Sequence, residues 1–345
     1  MDYVQKVLGP ILFILVVLSG SLPLKAKTVL KMNHQFPANT SGSKLDQWFA
    51  DQVFKLTDGE LEIRIYWSNA LGDAKENLVL LKNNAIDLAA VSAGYFPEEL
   101  PLHSAPNAIP MGMDNVCQSR KIMEAFLKQI PDFREEAQRN GIRSLYFHLL
   151  NPYLLVSKNP VRTFAELNGM KIRTWGKDMP RLVNAAKAKS ITMFLPHIYD
   201  GFKFGLIDGC PFSTDLMVSY RIYEFAKHVT EVVMWEGPGW GVWISEKTWQ
   251  KTSDRHRQAL ISVAELARAK SFENTKEADR QARIFLKQQG VTFHPFPDSE
   301  LKKWQDANPD FFNDMQKQFN QTGLQDPGRK MIGLWKKLRS EVECP

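Results

Sequence analysis

Hydrophobic and polar positions alternate between two periods along most of the chain. Leu61, Ile63 and Ile65 are interleaved with Glu60, Glu62 and Arg64, and this period of two predicts a half-buried strand. Within 43–56 the apolar residues Leu45, Trp48, Phe49, Val53 and Leu56 recur at helical spacing, and Asp58-Gly59 ends that helix. Short runs at 29–34 and 86–91 read as strands and 73–83 as a helix, so the first stretch is βαβαβ, the repetition that makes a parallel sheet covered by helices. Helices at 116–128 and 132–139 and a strand at 142–149 follow. A second run opens with a strand at 153–157, a one-turn helix where Thr163 and Glu166 have capping-box spacing, and a strand at 170–174. It continues with a helix at 180–187, a strand at 192–194, a helix at 197–204, a strand at 206–209 and a helix at 216–225. The predicted fold class is α/β, with two parallel or mixed sheets flanked by helices.

The stretch 254–289 is of another kind. Leu260, Val263, Ala264, Ala267, Ser271, Thr275, Ala278, Ala282 and Phe285 form a continuous small or apolar stripe, no Pro interrupts it, and Gly290 stands just past its end. About 36 residues rising about 1.5 Å each make roughly 54 Å. That exceeds one lobe, so the helix is expected to span both lobes of a bilobed molecule; two helices kinked near 271–274 are the competing reading. A chain of 345 residues suits two lobes. Lobe I is expected over 27–150, with about 236–270 returning to it. Lobe II is expected over 151–235, with about 271–345 as a helical part packing across both.

The N-terminus adds a location. Lys6 precedes the run Ile11-Leu12-Phe13-Ile14-Leu15-Val16-Val17-Leu18, and Ser19-Gly20-Ser21 leads to Pro23-Leu24-Lys25-Ala26. This is the plan of a secretory signal peptide over 1–26. Pro10, Gly20, Pro23 and Lys25 hold the run short of the about 20 apolar residues that a spanning helix needs. Leu24, two residues before the cut, leaves an uncleaved anchor as the alternative. The mature protein is expected to be periplasmic, soluble and monomeric. Its composition, 44% hydrophobic with 24% charged residues, is globular and excludes disorder or low complexity. The net charge of +6 falls to +5 when cleavage removes two lysines and one aspartate, and both signs are interspersed, which argues against nucleic acid as a partner. Cys117, Cys210 and Cys344 lie far apart with no CxxC and no His at ligand spacing. Neither a zinc site nor a disulfide framework is signalled, a single disulfide stays open, and no cofactor is implied.

Several segments carry a resemblance. Phe164-Ala165-Glu166-Leu167-Asn168-Gly169-Met170-Lys171-Ile172-Arg173-Thr174 resembles the "DLKGLKIR" segment of substrate-binding proteins of tripartite ATP-independent periplasmic (TRAP) transporters, the DctP-type family. Leu71-Gly72 and Asn84-Ala85-Ile86-Asp87-Leu88-Ala89 resemble "LG…GxIDMA", and Ser92-Ala93-Gly94-Tyr95 resembles "SPGY". Tyr199 with Gly205-Leu206-Ile207-Asp208-Gly209 is similar to "EVYTALQxGxVDG", and Tyr223-Glu224 with Lys227-His228 to "FYEVxKY". The likeness covers about 28–320. It implies the bilobed periplasmic binding protein fold, a small organic-acid ligand and a membrane permease as partner. Arg173 is the first candidate ligand residue. A guanidinium fork binds a carboxylate bidentately and stays charged, and the strand end is where open α/β sheets place ligands. The resemblance implies the same role for it.

Departures from the pattern bear on the ligand. Where the family reads "DGQENP", this chain has Asp208-Gly209-Cys210-Pro211-Phe212-Ser213, so Phe212 replaces a polar Asn and points to a more apolar pocket, fitter for a keto, hydroxy or aromatic acid than for a sugar acid. A second Arg that sialic-acid members carry falls here on Tyr153, which makes sialic acid doubtful. Asn33 and His34 end the first strand, Trp67 follows the second, Tyr95 follows the third, and Trp235 lies in the crossover between lobes; these are places where a cleft is lined. His34 alone is more often a satisfied structural residue. Asp208 reads as structural, in a strand-end turn. No GxSxG, HExxH, GxGxxG or P-loop is present, so a receptor is expected rather than an enzyme. An exported enzyme or a sensory protein on the same fold is the alternative.

Overall fold

The computed structural model of the chain describes residues 27–342; the expected signal peptide and Cys344 lie outside the described residues. Two sheets form. In the first, β1 (Thr28–Asn33) pairs in parallel with β2 (Leu61–Tyr66) and with β3 (Leu88–Val91), and β4 (Ile142–Leu149) forms an edge. The second sheet holds β5 (Tyr153–Ser157), β6 (Lys171–Thr174), β7 (Lys189–Thr192), β8 (Gly209–Phe212) and β9 (His228–Trp235). From β9 the chain returns to the first sheet as β10 (Pro238–Ser245), inserted antiparallel between β3 and β4, and later adds β11 (Thr292–Pro295) beside β9. The spatial orders are β2-β1-β3-β10-β4 and β11-β9-β5-β8-β6-β7. The fold is mixed α/β, because β10 in one sheet and β5 in the other run against their neighbours.

Asp254–Gln288 is one unbroken helix of 35 residues, about 52 Å long, which disposes of the kinked alternative. Its small residues let it lie close to both halves of the molecule. Leu260, Val263, Ala264 and Ala267 join the core under the first sheet, and Leu286 joins that of the second. Midway, Ser271 Oγ accepts from Leu149 N at 3.4 Å and Thr275 Oγ1 donates to Leu149 O at 3.2 Å. These side chains satisfy the backbone where the chain leaves β4 for β5, groups that would otherwise be buried without partners. Three C-terminal helices, Asp298–Ala307, Phe311–Gln321 and Gln325–Glu341, close the structure. The buried indoles of Trp304 and Trp335 donate to Leu182 O at 3.0 Å and Gly112 O at 2.9 Å, so these helices are tied to both halves.

Some boundaries differ from the sequence reading. The expected strand at 206–209 begins only at Gly209, because Asp208 closes a turn: its carboxylate accepts from Lys171 N and its carbonyl from Lys158 N, each at 2.9 Å. The strand expected at 192–194 lies at Lys189–Thr192, which leaves Met193 free to turn its carbonyl toward β6. The helix expected over 216–225 breaks after Thr214–Ser219, where Arg221 adopts a left-handed φ of 56°. Cys117 is disulfide-bonded, the pairing that spacing left open, and Cys210 is a buried free thiol.

Candidate functional site

Arg173 lies next to the last residue of β6, and the other ends of the second sheet gather round it. Because β5 runs antiparallel to β8 and β9, its first residue, Tyr153, pairs with Trp235 at the end of β9, while Leu154 pairs with Phe212 at the end of β8. Arg173, Tyr153, Phe212 and Trp235 therefore meet at one edge. The Arg173 side chain is only 5% exposed. Its Nε donates to Met193 O at 2.9 Å and its guanidinium lies over the Trp175 ring at 4.4 Å. Among the described residues no carboxylate pairs with it. A permanent charge withdrawn from water without a counter-ion is costly, and an anion brought beside it would relieve that cost.

Aromatic rings pack edge to face around this charge. Tyr153 lies 5.1 Å from Trp235, 5.7 Å from Trp175 and 6.0 Å from Phe212, and Phe212 lies 5.9 Å from Tyr220. Trp235 Nε1 donates to Asn107 O at 3.1 Å, a hydrogen bond to the helix Pro101–Ala108 beside the first sheet. Tyr95, on the turn after β3, is near enough for the Arg173 charge to act on its phenol. Burial drives the Tyr153 phenol far above its ordinary range, with Arg173 pulling the other way. Burial likewise raises Tyr220 to about 12 and the Cys210 thiol to about 12. These hydroxyls hold their protons at neutral pH and can donate to an anion.

Phe212 has no open surface and packs with Leu154, Met217 and Ile222, so it reaches the site only through the edges of Tyr153 and Tyr220. Asn33, His34 and Trp67 do not join the cluster. Asn33 Nδ2 donates to Gly72 O at 2.8 Å and Asn77 Oδ1 at 2.7 Å, and its Oδ1 accepts from Leu71 N at 3.1 Å, which anchors the loop after β2. His34 Nε2 binds Asp46 Oδ2 at 2.8 Å inside the first core, and Trp67 tilts against the His34 ring at 4.6 Å. Sequence reasoning missed Trp175 and Tyr220. The signal for Trp175 was the i, i+2 spacing from Arg173, which puts both side chains on one face of an extended segment; Tyr220 had none.

Two small cavities, about 30 and 20 Å³, lie elsewhere and have room for water only. Among the described residues no group of three or more His, Cys, Asp or Glu could hold a metal ion, and no helix is long and apolar enough to cross a membrane.

Residues 32–318 match the family model of the bacterial extracellular solute-binding proteins, family 7 (DctP). The sialic acid-binding periplasmic protein SiaP of Vibrio cholerae is 21% identical over 310 residues, 86% of this chain and 91% of that one. The crystal structure of DctP7, a Bordetella pertussis extracytoplasmic solute receptor binding pyroglutamic acid, superposes with a TM-score of 0.77 at 20% identity, over 90% of this chain and 99% of the other. A TRAP periplasmic solute-binding protein of Pseudomonas putida F1 with bound D-glucuronate gives 0.75 at 20% identity, over 92% and 98%. These structures share the bilobed architecture built around two sheets. The chain belongs to the family 7 bacterial extracellular solute-binding proteins, receptors of the TRAP type that hold a solute and do not transform it.

Proposed function

We propose that this receptor captures a small organic acid by its carboxylate, with Arg173 as the clamp, and delivers it to a TRAP membrane permease. The observation that carries this reading is the nearly buried guanidinium, oriented by Met193 O and Trp175 and without a carboxylate partner among the described residues. Sialic acid, pyroglutamic acid and D-glucuronate, named for the similar proteins, are all carboxylic acids. The ligand enters between Tyr95 on the first lobe and Arg173 on the second. Closure of the lobes on it supplies contacts that exist only in the closed state, and those differential contacts set the affinity. The receptor acts as a periplasmic monomer after loss of 1–26, and N-terminal sequencing of the exported protein should begin at Lys27.

Calorimetry on Arg173→Ala tests the clamp. Loss of one partner from a desolvated charge pair costs about 2 to 5 kcal/mol, or about 30-fold to several thousand-fold in affinity. Arg173→Lys should recover little, because an ammonium lacks the planar fork. Affinity for the co-purifying acid within about threefold of the parent, in a variant with an unchanged melt, would place the carboxylate elsewhere.

A further inference from the structure

We infer that one water molecule is a fixed part of the crossover between the two halves, bridging the middle of the long helix to Asn151 and Asp215. It does so independently of how the solute is held. The chain passes between the two sheets at 149–153, at 235–238 and along Asp254–Gln288. A cavity of about 20 Å³ lies where the first and third of these passages meet, and Trp240, just past the second, forms part of its wall. A single water needs at least about 10–15 Å³ and two to four polar partners, so the space suits one. Ser41 is exposed and Asn274 half-buried at its outer side, which gives water a way in.

The lining supplies both donors and acceptors. Ser271, Asn274 and Thr275 share one face of the helix, a turn apart. Ser271 Oγ accepts from Leu149 N, which leaves its O–H to donate, and Thr275 Oγ1 donates to Leu149 O, which leaves its lone pairs to accept. On the other side Asp215 Oδ1 takes Asn151 Nδ2 at 3.0 Å, so Asn151 Oδ1 and further lone pairs of the Asp215 carboxyl can accept. The first half brings Gly42, whose N–H has no partner inside its own helix, Ser41–Leu56. It also brings His148, whose Nε2 is held by Asp46 and whose Nδ1 faces Gly42. A neutral molecule fits this set better than a cation. Burial raises the Asp215 pKa, which weakens it as a cation ligand, and the N-terminus of a helix disfavours positive charge. Ser271 and Asn151 are themselves 2% and 3% exposed, so the water completes bonding capacity that bulk solvent does not reach.

The test is a high-resolution crystal structure of the mature protein, together with melts of two variants. One ordered water should stand about 2.7–3.2 Å from Ser271 Oγ and from Asn151 or Asp215. Asn274→Leu places apolar bulk at the mouth of the cavity and should expel it, stranding the Ser271 hydroxyl and Asn151 Oδ1 and lowering Tm by about 3 °C or more. Asn274→Ser keeps the mouth polar and open; it should retain the water and melt within about 1 °C of the parent. No peak in the parent cavity, a peak that touches the helix alone, or one with oxygen neighbours at about 2.3–2.6 Å, the spacing of a metal ion, would each overturn the inference. So would an Asn274→Leu protein that has lost the peak yet melts with the parent, or an Asn274→Ser protein that keeps the peak yet melts as low as Asn274→Leu.

Discussion

Replacing Asp46 by Asn should destabilise the protein far more than its size suggests. Asp46 lies in the helix Ser41–Leu56 and is wholly buried. Its Oδ1 accepts from Tyr146 Oη at 2.5 Å and meets His148 Nε2 at 2.6 Å, while Oδ2 meets His34 Nε2 at 2.8 Å and accepts from Trp240 Nε1 at 3.3 Å. One carboxylate thus gathers four donors from β4, β10 and the end of β1. Asn offers oxygen to two of them and turns an amide N–H₂ on the other two. Two donors left unpaired in the interior cost about 1–3 kcal/mol each, or about 2–6 kcal/mol together. That is a large part of a usual stability of about 5–15 kcal/mol, and implies a fall in Tm of about 3 °C or more. The effect has a pH signature. Burial works to raise the Asp46 pKa, but the charges and hydrogen bonds of His148 and His34 prevail and hold it well below the usual carboxylate range. A depressed folded pKa means the contribution is complete above the unfolded value of about 3.9 and is lost as pH falls below it. Melting curves followed by circular dichroism at pH 7 and at pH 3 should therefore show the gap between parent and Asp46→Asn narrowing in acid. A variant that melts within about 1 °C of the parent at pH 7, or a gap that does not change, would refute the reasoning.

A second pH effect is expected where β9 meets β11. His228 Nδ1 stands 2.9 Å from His294 Nε2, and both pKa values are lowered by burial first and by Arg162 next. Depressed histidine values favour protonation in the unfolded chain, so stability should fall as pH drops below about 6.5, and His294→Gln should flatten that part of the Tm–pH profile. A third prediction concerns closure. Lys75 Nζ lies 4.8 Å from the Phe194 ring and so joins the turn before Asn77–Lys82 to the residue after Met193, whose carbonyl orients Arg173. Because an exposed cation–π contact contributes about 0.5–1 kcal/mol, calorimetry on Lys75→Ala should show affinity weakened by about two- to fivefold with the melt unchanged.

What could be read from the chain alone depended on how far apart the deciding residues were. Period-two and period-3.6 patterns located β1, β2, β4, β5 and the long helix, because each such pattern reports a face buried by its own segment. The strand-end position of Arg173 was legible for a related reason: a short motif places it there, whatever else surrounds it. Asn33, His34 and Trp67 looked equally well placed, at or just after the ends of parallel strands. Yet the loop after β2 needs an anchor at that same point, and Asn33 supplies it with three hydrogen bonds, while His34 is drawn inward by Asp46 twelve residues away. Leu206 misled in the opposite sense, since an apolar residue in an apparent strand proves 53% exposed in the turn that Asp208 closes. Local pattern thus separates buried from exposed faces but does not say whether a polar group at a strand end is spent on its own loop or left for a ligand. That choice is made by pairings such as Tyr153 with Trp235, which bring β5 and β9 together across intervening strands. The residues that stay open beside Arg173, namely Tyr95, Trp175 and Tyr220, are therefore set by how the two halves of the molecule meet, and a substitution at any of them should alter which solute is held before it alters whether the chain folds.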